Sequence, residues 1–115
     1  MQGVATVEEC RAALARLTEN LARNADEVRD KVDLDRTIVC RVTDLQVAFR
    51  GRLVRGELVD VAEGDDPNAK IKLSAKSDDL IAMVDGELDF AKALATRRAS
   101  VSANPFDLLK LRKLL

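Results

Sequence analysis

The 115-residue sequence contains no histidine, tryptophan or tyrosine, and phenylalanine occurs only three times. Histidine is the side chain that exchanges protons most readily near neutral pH. Its absence excludes the Ser-His and Cys-His pairs of nucleophilic enzymes. Without tryptophan or tyrosine, the chain also lacks the rings on which nucleic-acid bases most often stack. The composition therefore predicts a protein that is not an enzyme and does not bind nucleic acid.

Cysteine and glycine are scarce as well. Cys10 and Cys40 show neither the spacing of a metal site nor that of a disulfide framework, so we expect two small buried hydrophobic residues. The five glycines form none of the glycine-rich loops that hold phosphate. We therefore expect no metal, no bound nucleotide and no cofactor.

Long apolar runs are missing too. No run approaches the roughly 20 residues of a membrane-spanning helix, and the N-terminus lacks the plan of a signal peptide. With 47% hydrophobic and 34% charged residues, the length fits one domain over residues 1–115. Within it we expect an N-terminal helix over 6–30, and we expect the chain to be cytoplasmic.

An apolar stripe marks the N-terminal helix. Thr6 and Glu9 fit a capping box, and apolar residues then recur every three or four positions. These are Val7, Cys10, Leu14, Leu17 and Leu21. We expect the stripe to pack on a sheet. The alternative, a coiled coil, would need paired charges at the flanking positions.

Five runs of alternating apolar and polar residues predict five strands of an α+β fold. Their apolar members are Ile38, Cys40 and Val42; Leu45, Val47, Phe49 and Leu53; Leu58 to Val61; Ala69, Ile71, Leu73 and Ala75; and Ala99, Val101 and Ala103. Such alternation is typical of a sheet with one face covered by helices and the other facing water.

The polar positions of these strands predict a basic open face. Its members are Arg50, Arg52, Lys70, Lys72 and Arg98. Such a face suits contact with an anionic membrane or an acidic partner. A solvated face that discourages aggregation is the plainer interpretation.

Residues 77–94 predict two short helices. Ser77 is suited to cap the first, with Asp78 and Asp79 in its first turn. Asp85-Gly86 ends this helix, since glycine adopts the left-handed conformation at little cost. The second starts near Asp89, and Asn104-Pro105 opens a last, leucine-rich helix.

This order of elements, with its motifs, resembles the lipid-binding domain of sterol carrier protein 2 over residues 35–115. The motifs are Ile71-Lys72-Leu73-Ser74, Ser77-Asp78-Asp79-Leu80, and Met83-Val84-Asp85-Gly86-Glu87-Leu88-Asp89-Phe90 followed by Ala91 and Ala93. The resemblance implies a five-stranded mixed, mainly antiparallel sheet, helices on one of its faces, and an apolar tunnel between the two layers.

Members of that family bind and transfer sterols, fatty acids, fatty acyl-CoA or phospholipids without a covalent step or a cofactor. Carried over by position, the resemblance implies eight lipid-binding residues. These are Phe49, Leu80, Met83, Val84, Phe90, Leu94, Phe106 and Leu109. A carrier of this kind takes a lipid ligand, and Lys110, Arg112 and Lys113 are placed to meet an anionic headgroup. The basic open face suits transient contact with an anionic membrane. The last four residues do not match the Ser-Lys-Leu peroxisomal address of eukaryotic members, which favours a bacterial relative.

The sequence departs from the family pattern at two turns, because Arg97 and Ala103 occupy positions that are usually glycine. We therefore expect altered turns around the last strand. Two alternatives to a lipid carrier stay open. One is a lipid-free interaction module or homodimer of the same fold, and the other is a small enzyme with Asp44 or Glu87 as base.

Overall fold

The computed structural model describes residues 5–28, 35–55 and 57–114. Its elements are α1 (Val7–Val28), β1 (Asp35–Val42), β2 (Val47–Val54), β3 (Glu57–Glu63), β4 (Ile71–Ala75), α2 (Ser77–Val84), α3 (Phe90–Ala95), β5 (Ala99–Ser102) and α4 (Pro105–Leu114). The α+β fold with five strands is confirmed. The predicted continuation of α1 over 29–30 lies outside the described residues.

The strands form one mixed sheet in the order β3-β2-β1-β4-β5. Every neighbouring pair is antiparallel except β1 with β4, which is parallel. Residues paired across β1 share a face. Phe49 and Leu73 flank Cys40 on the core face, whereas Arg50 and Lys72 flank Val39 on the open face.

The predicted strand ends shift slightly. Leu45 lies in the turn between β1 and β2, while Ala69 and Ala103 lie just outside β4 and β5. β3 continues through Glu63, two residues beyond the predicted Val61. Leu45, Ala69 and Ala103 keep the alternation of their strands but have no partner in the described ladders.

β3 is an irregular edge strand. Its register against β2 shifts between Arg50 and Arg52, and Asp60 adopts a φ of 56°. This β-bulge kinks the strand and places Val61, which is 40% exposed, beside Gly51. A Cβ on Gly51 would lie 3.1 Å from the Val59 carbonyl oxygen. Glycine therefore lets β3 approach this closely without a tight contact to its backbone.

The core lies between the sheet and the helical layer. Cys10, Leu14 and Leu21 of α1 are buried, and Val7 and Leu17 pack against the same cluster half-buried. The predicted packing of the apolar stripe on the sheet is thereby confirmed. Leu80 of α2 and Phe90 of α3 are buried in the same cluster, so three helices contribute to one core.

The predicted cap of α2 is wrong. Lys76, whose side chain makes no capping bond, precedes the helix, and Ser77 is its first residue. Asp44 supplies the cap from the β1–β2 turn, since its carboxylate accepts hydrogen bonds from the Ser77 N–H at 2.8 Å and the Ser77 hydroxyl at 2.7 Å. The fully buried Ser77 Oγ in turn accepts the Ala5 N–H at 3.2 Å.

Other predicted helix ends are confirmed. α2 ends before Asp85-Gly86, with Gly86 at a φ of 80°. The Asp89 carboxylate caps α3 by accepting the Lys92 N–H, and Asn104 Oδ1 accepts the Phe106 N–H at the start of α4. Arg97 ends α3 at a φ of 62°. The turn at this usual glycine position therefore keeps a glycine-like conformation.

Candidate functional site

An apolar cavity of about 60 Å³ lies between α1 and the sheet. Its lining is Leu14, Leu17 and Leu21 of α1; Ile38 and Cys40 of β1; Phe49, Arg50, Gly51 and Leu53 of β2; Leu58 and Val61 of β3; Leu73 of β4; and Leu80 of α2. Arg50 is the only charged residue among them, and strand alternation directs its side chain to the opposite face of the sheet, beside Val39. The site therefore offers dispersion contacts and almost no hydrogen-bonding partners.

The sequence builds this cavity from two periodicities. Leu14, Leu17 and Leu21 recur at helical spacing, so one stripe of α1 forms the roof. Alternate residues of β1 and β2 form the floor, since every second side chain of a strand faces the helices. Gly51 adds no side chain to that floor, which leaves space between Leu58 and Val61. Exposed Val61 and half-exposed Leu17 lie where the cavity reaches the surface.

Polar contacts fasten the first half of α1 to the rest of the domain. The Arg11 guanidinium pairs with Glu63 of β3 at 2.5 Å, and that of Arg16 pairs with Asp85 after α2 at 3.0 Å. The Ala5 N–H adds the contact to Ser77. Exposed ion pairs contribute little stability each, so these contacts mainly position the roof. Beyond Arg16, Leu17 and Leu21 of α1 contact the core by apolar packing.

The Asp44 carboxylate is held ionised by its neighbours. Desolvation raises its pKa, but the hydrogen bonds from the Ser77 side chain and backbone, with the nearby Lys76 ammonium, outweigh that effect. The resulting pKa lies below the ordinary value of 3.8. Both oxygens of Asp44 accept hydrogen bonds from Ser77, which assigns this carboxylate a capping role.

The two cysteines are free and buried, as the sequence predicted. Burial raises the pKa of Cys40 to about 12, with a smaller contribution from nearby Cys10, and burial likewise raises the pKa of Cys10. Thiols react as thiolates. Cys40 therefore enters the cavity wall as an inert apolar group.

The structure brings two of the eight predicted lipid-binding residues, Phe49 and Leu80, to the cavity. Phe90 is buried in the adjoining core, and Met83, Val84 and Leu94 pack against that core half-buried. Phe106 and Leu109 lie apart from these residues, with exposed fractions of 75% and 57%. The binding role of all eight stays a prediction.

The leucines of α1 were not among the predicted site residues. Their stripe was visible in the sequence, but a stripe that covers a cavity has the same periodicity as one that covers a filled core. Val61 and Gly51 were missed because the bulge that brings them together depends on the β2–β3 register. No sequence signal located that register.

The alternative sites have little support in the described part of the chain. Glu87 is exposed and, like Asp44, lies outside the cavity lining. Residues 5–28, 35–55 and 57–114 hold no cluster of side chains suited to a metal ion, and none of their helices is long and apolar enough to cross a membrane. The side chains of Lys110, Arg112 and Lys113 lie outside the described residues.

Comparison with solved structures finds the same fold in proteins of low sequence identity. The sterol carrier protein domain 2 of Helicoverpa armigera matches with a TM-score of 0.72 and 14% identity, over 98% of this chain and 91% of that one. Palmitated sterol carrier protein 2 like 2 from Aedes aegypti matches with a TM-score of 0.60 and 13% identity, over 86% and 90% of the two chains.

An enzyme also contains this fold. The inverting sec-alkylsulfatase Pisa1 from Pseudomonas sp. matches with a TM-score of 0.59 and 22% identity over 76% of this chain. The match covers only 14% of the sulfatase chain, so the likeness concerns one part of a much longer protein. No curated protein matches the sequence.

The model of the SCP-2 sterol transfer family matches residues 13–115. This match spans most of α1, the whole sheet and the helices that follow α1. The chain therefore belongs to the SCP-2 sterol transfer family.

Proposed function

We propose that the protein is a non-catalytic lipid carrier that holds a fatty acid, fatty acyl-CoA, sterol or phospholipid by its apolar part in the cavity beneath α1. The observation that carries this proposal is the apolar lining, whose one charged residue, Arg50, directs its side chain to the opposite face of the sheet. Family membership and the palmitated relative from Aedes aegypti support it. The absence of histidine agrees with binding without catalysis.

The cavity must widen before it can hold a lipid. Small-molecule sites typically enclose about 300–1,000 Å³, and this cavity encloses about 60 Å³. The roof must therefore move outward as ligand enters. Such a compact unliganded state is reasonable, because an empty apolar void costs about 24 cal/mol per Å³.

The two halves of α1 contact the rest of the domain in different ways, and this difference allows the second half to move. The ion pairs and the Ser77 hydrogen bond hold the first half of α1, while Leu17 and Leu21 contact the core by apolar packing alone. Widening beneath these leucines would bring Phe49 and Leu80 against the ligand. Met83, Val84, Phe90 and Leu94 would support them from the adjoining core.

Titration of the delipidated protein with an environment-sensitive fluorescent fatty acid tests this function. We expect saturable one-to-one binding that unlabelled palmitate displaces. Competition with a sterol, a fatty acyl-CoA and a phospholipid then ranks the ligand classes. The absence of binding to folded, monodisperse protein would contradict the proposal.

Val61→Asp tests whether the ligand enters this cavity. A carboxylate at the mouth would have to lose water against an alkyl chain, which costs several kcal/mol when complete. We expect affinity to fall by at least about tenfold, which corresponds to about 1.4 kcal/mol.

Ala62→Asp is the matched control. Ala62 is the exposed neighbour of Val61 and pairs with Arg50 on the open face. We expect this variant to bind like the original protein. Equal loss in both variants, or in neither, would place the ligand elsewhere.

The alternative function is a lipid-free interaction module that forms a homodimer. It predicts no lipid binding and a mass in solution twice that of the chain, whereas the carrier needs only a transient meeting with an anionic membrane to exchange its ligand. Contact with nucleic acid is not part of either proposal, and a cytoplasmic location stays a prediction.

A further inference from the structure

Two large apolar side chains at the start of α4 face water. Phe106 is 75% exposed and Leu109 is 57% exposed. They lie three residues apart, so they share one side of the helix. We call these two residues the apolar pair. They belong neither to the core cluster nor to the cavity lining, so folding gives them no partner in the described part of the chain.

The first turn of α4 is held firmly at one end of the sheet. The buried Asp107 carboxylate accepts a hydrogen bond from Arg36 Nε at 3.0 Å, and Asn104 Oδ1 accepts the Phe106 N–H at 2.8 Å. Because Asp107 points toward β1, its neighbours in the helix are presented outward at a fixed place.

That place adjoins the basic face of the sheet. Asn104 and Asp107 line one shallow depression together with Arg52 and Lys70. Arg52 pairs with Thr37 in register, and the Lys70 N–H donates to Thr37 Oγ1 at 3.1 Å. Two residues further along β1 and on the same face, Val39 is flanked by Arg50 and Lys72. We call Arg50, Arg52, Lys70 and Lys72 the basic strip.

The charge of the basic strip is only partly compensated. Asp35 pairs with Arg52 at 2.5 Å, and Asp107 is occupied by Arg36. Among the described residues, no ion pair is found for Arg50, Lys70 or Lys72. All four guanidinium and ammonium groups stand on residues of the open face, on the opposite side of the sheet from the cavity roof.

We propose that the apolar pair and the basic strip together form a docking surface for an anionic phospholipid bilayer. Phe106 and Leu109 would enter the boundary between headgroups and acyl chains, and the strip would meet the negative surface. The inference rests on the proposed function in one respect, because a carrier must exchange its ligand with a bilayer.

A bilayer fits these features better than a protein does. A stable protein interface buries about 800 Å² on each partner and has a packed apolar centre. Two apolar side chains beside a row of cations cannot supply such a centre. A fluid anionic surface needs no matched shape, and it rewards the combination of shallow insertion with positive charge.

Sedimentation with vesicles tests the proposal. We expect the protein to bind vesicles of phosphatidylglycerol mixed with phosphatidylcholine, to bind pure phosphatidylcholine weakly, and to be released by salt. Replacing the apolar pair, Phe106→Ser with Leu109→Ser, should lower the partition by at least about tenfold. Lys70→Gln and Lys72→Gln should each lower it about fivefold.

Lys92→Gln is the matched charge control, because Lys92 is exposed on α3 in the helical layer. We expect its vesicle binding to be unchanged. In the fatty-acid titration without vesicles, the Lys70→Gln, Lys72→Gln and Lys92→Gln variants should keep their affinity. This second readout separates failure of the docking surface from failure of the carrier function.

Three results would overturn the proposal. In the first, the unaltered protein ignores anionic vesicles. In the second, the Phe106→Ser, Leu109→Ser variant keeps its vesicle binding but loses fatty-acid affinity, which would place the pair in the ligand site. In the third, sedimentation velocity shows a dimer that this variant abolishes, so that a second copy is the occupant.

Discussion

Asp44 illustrates how one residue can determine the start of a distant element. It caps α2 from 33 positions away along the chain, and the same contact reaches the start of α1 through the Ser77 hydroxyl. One carboxylate therefore joins a turn and two helices. Its side chain is exposed, so the contact acts mainly through hydrogen bonds rather than through buried charge.

Asp44→Ala should lower the free energy of unfolding by about 1–2 kcal/mol near neutral pH, as loss of a helix cap does. Asp78→Ala is the control, since Asp78 lies in the first turn of the same helix without a capping bond. Chemical denaturation of both variants measures the difference. Equal effects would show that Asp44 acts only through its charge near the helix end.

The loss of stability in Asp44→Ala, compared with Asp78→Ala, should depend on pH. The folded pKa of Asp44 lies below its ordinary value of 3.8, so the ionised carboxylate stabilises the fold above that pH. The contribution is lost as the pH falls through the folded pKa. We therefore expect the deficit of Asp44→Ala to shrink below about pH 4. A deficit that grows with acid would contradict the assignment.

The sequence predicted the helix caps whose capping residue lies nearby along the chain. It did not predict the cap that a distant residue supplies. Asp89 and Asn104 bond to N–H groups within three residues, so their caps were predictable. The cap of α2 was assigned to Ser77 because the true acceptor, Asp44, becomes its neighbour only after the sheet has formed. Exposure of Phe106 was unpredictable for the same reason, because it depends on where Asp107 meets Arg36.

At the scale of elements, α2 and α3 end in the same way with different residues. Gly86 follows α2 and Arg97 follows α3, and each has a positive φ. In each case the next residue donates its N–H back to the carbonyl five positions earlier, at 2.8 Å for Glu87 and 2.9 Å for Arg98. These are two Schellman motifs, one with glycine and one with a strained arginine.

Arg97→Gly should therefore stabilise the protein by about 1 kcal/mol, because an L-residue pays about 1–2 kcal/mol for the left-handed conformation. Gly86→Ala should destabilise it by a similar amount. A Cβ at Gly86 would meet nothing within 4 Å, so backbone strain alone would be measured. Thermal melts of both variants provide the check, and destabilisation by Arg97→Gly would show that the arginine side chain is needed.

The strand alternation was likewise predicted well, because period-two patterning is set by which face is buried. The mixed, mainly antiparallel sheet was predicted from the family resemblance, and the order β3-β2-β1-β4-β5 was not predicted, because alternation cannot distinguish parallel from antiparallel neighbours. The main feature that the sequence did not predict is the roof that α1 forms over the cavity. Leu14, Leu17 and Leu21 were assigned to packing on the sheet, which is correct, but whether the packed layer leaves a void depends on side-chain fit.

At the scale of the whole molecule, the proposed exchange of lipid would require the two layers to separate. Cys40 lies in the cavity wall beneath the roof and provides an internal reporter of that motion. In a Cys10→Ala background, iodoacetamide should label Cys40 slowly near neutral pH, because burial raises its pKa to about 12. A saturating fatty acid should slow labelling further.

Cys40→Ala, which leaves only Cys10, is the counterpart. Cys10 is fully buried on α1 outside the cavity lining, so a bound fatty acid should protect it less directly. Mass spectrometry of the alkylated protein follows both rates. Labelling of Cys40 as fast as a free cysteine, with no effect of ligand, would mean that the layers are not closed over it.

The bulge at Asp60 also bears on the behaviour of the protein at high concentration. A straight edge strand offers a template on which other chains can polymerise, and β3 is such an edge. The kink interrupts that template, and Glu57, Asp60 and Glu63 along the same strand would repel a second copy of it. The irregularity that brings Val61 beside Gly51 therefore also guards this edge strand against fibril formation.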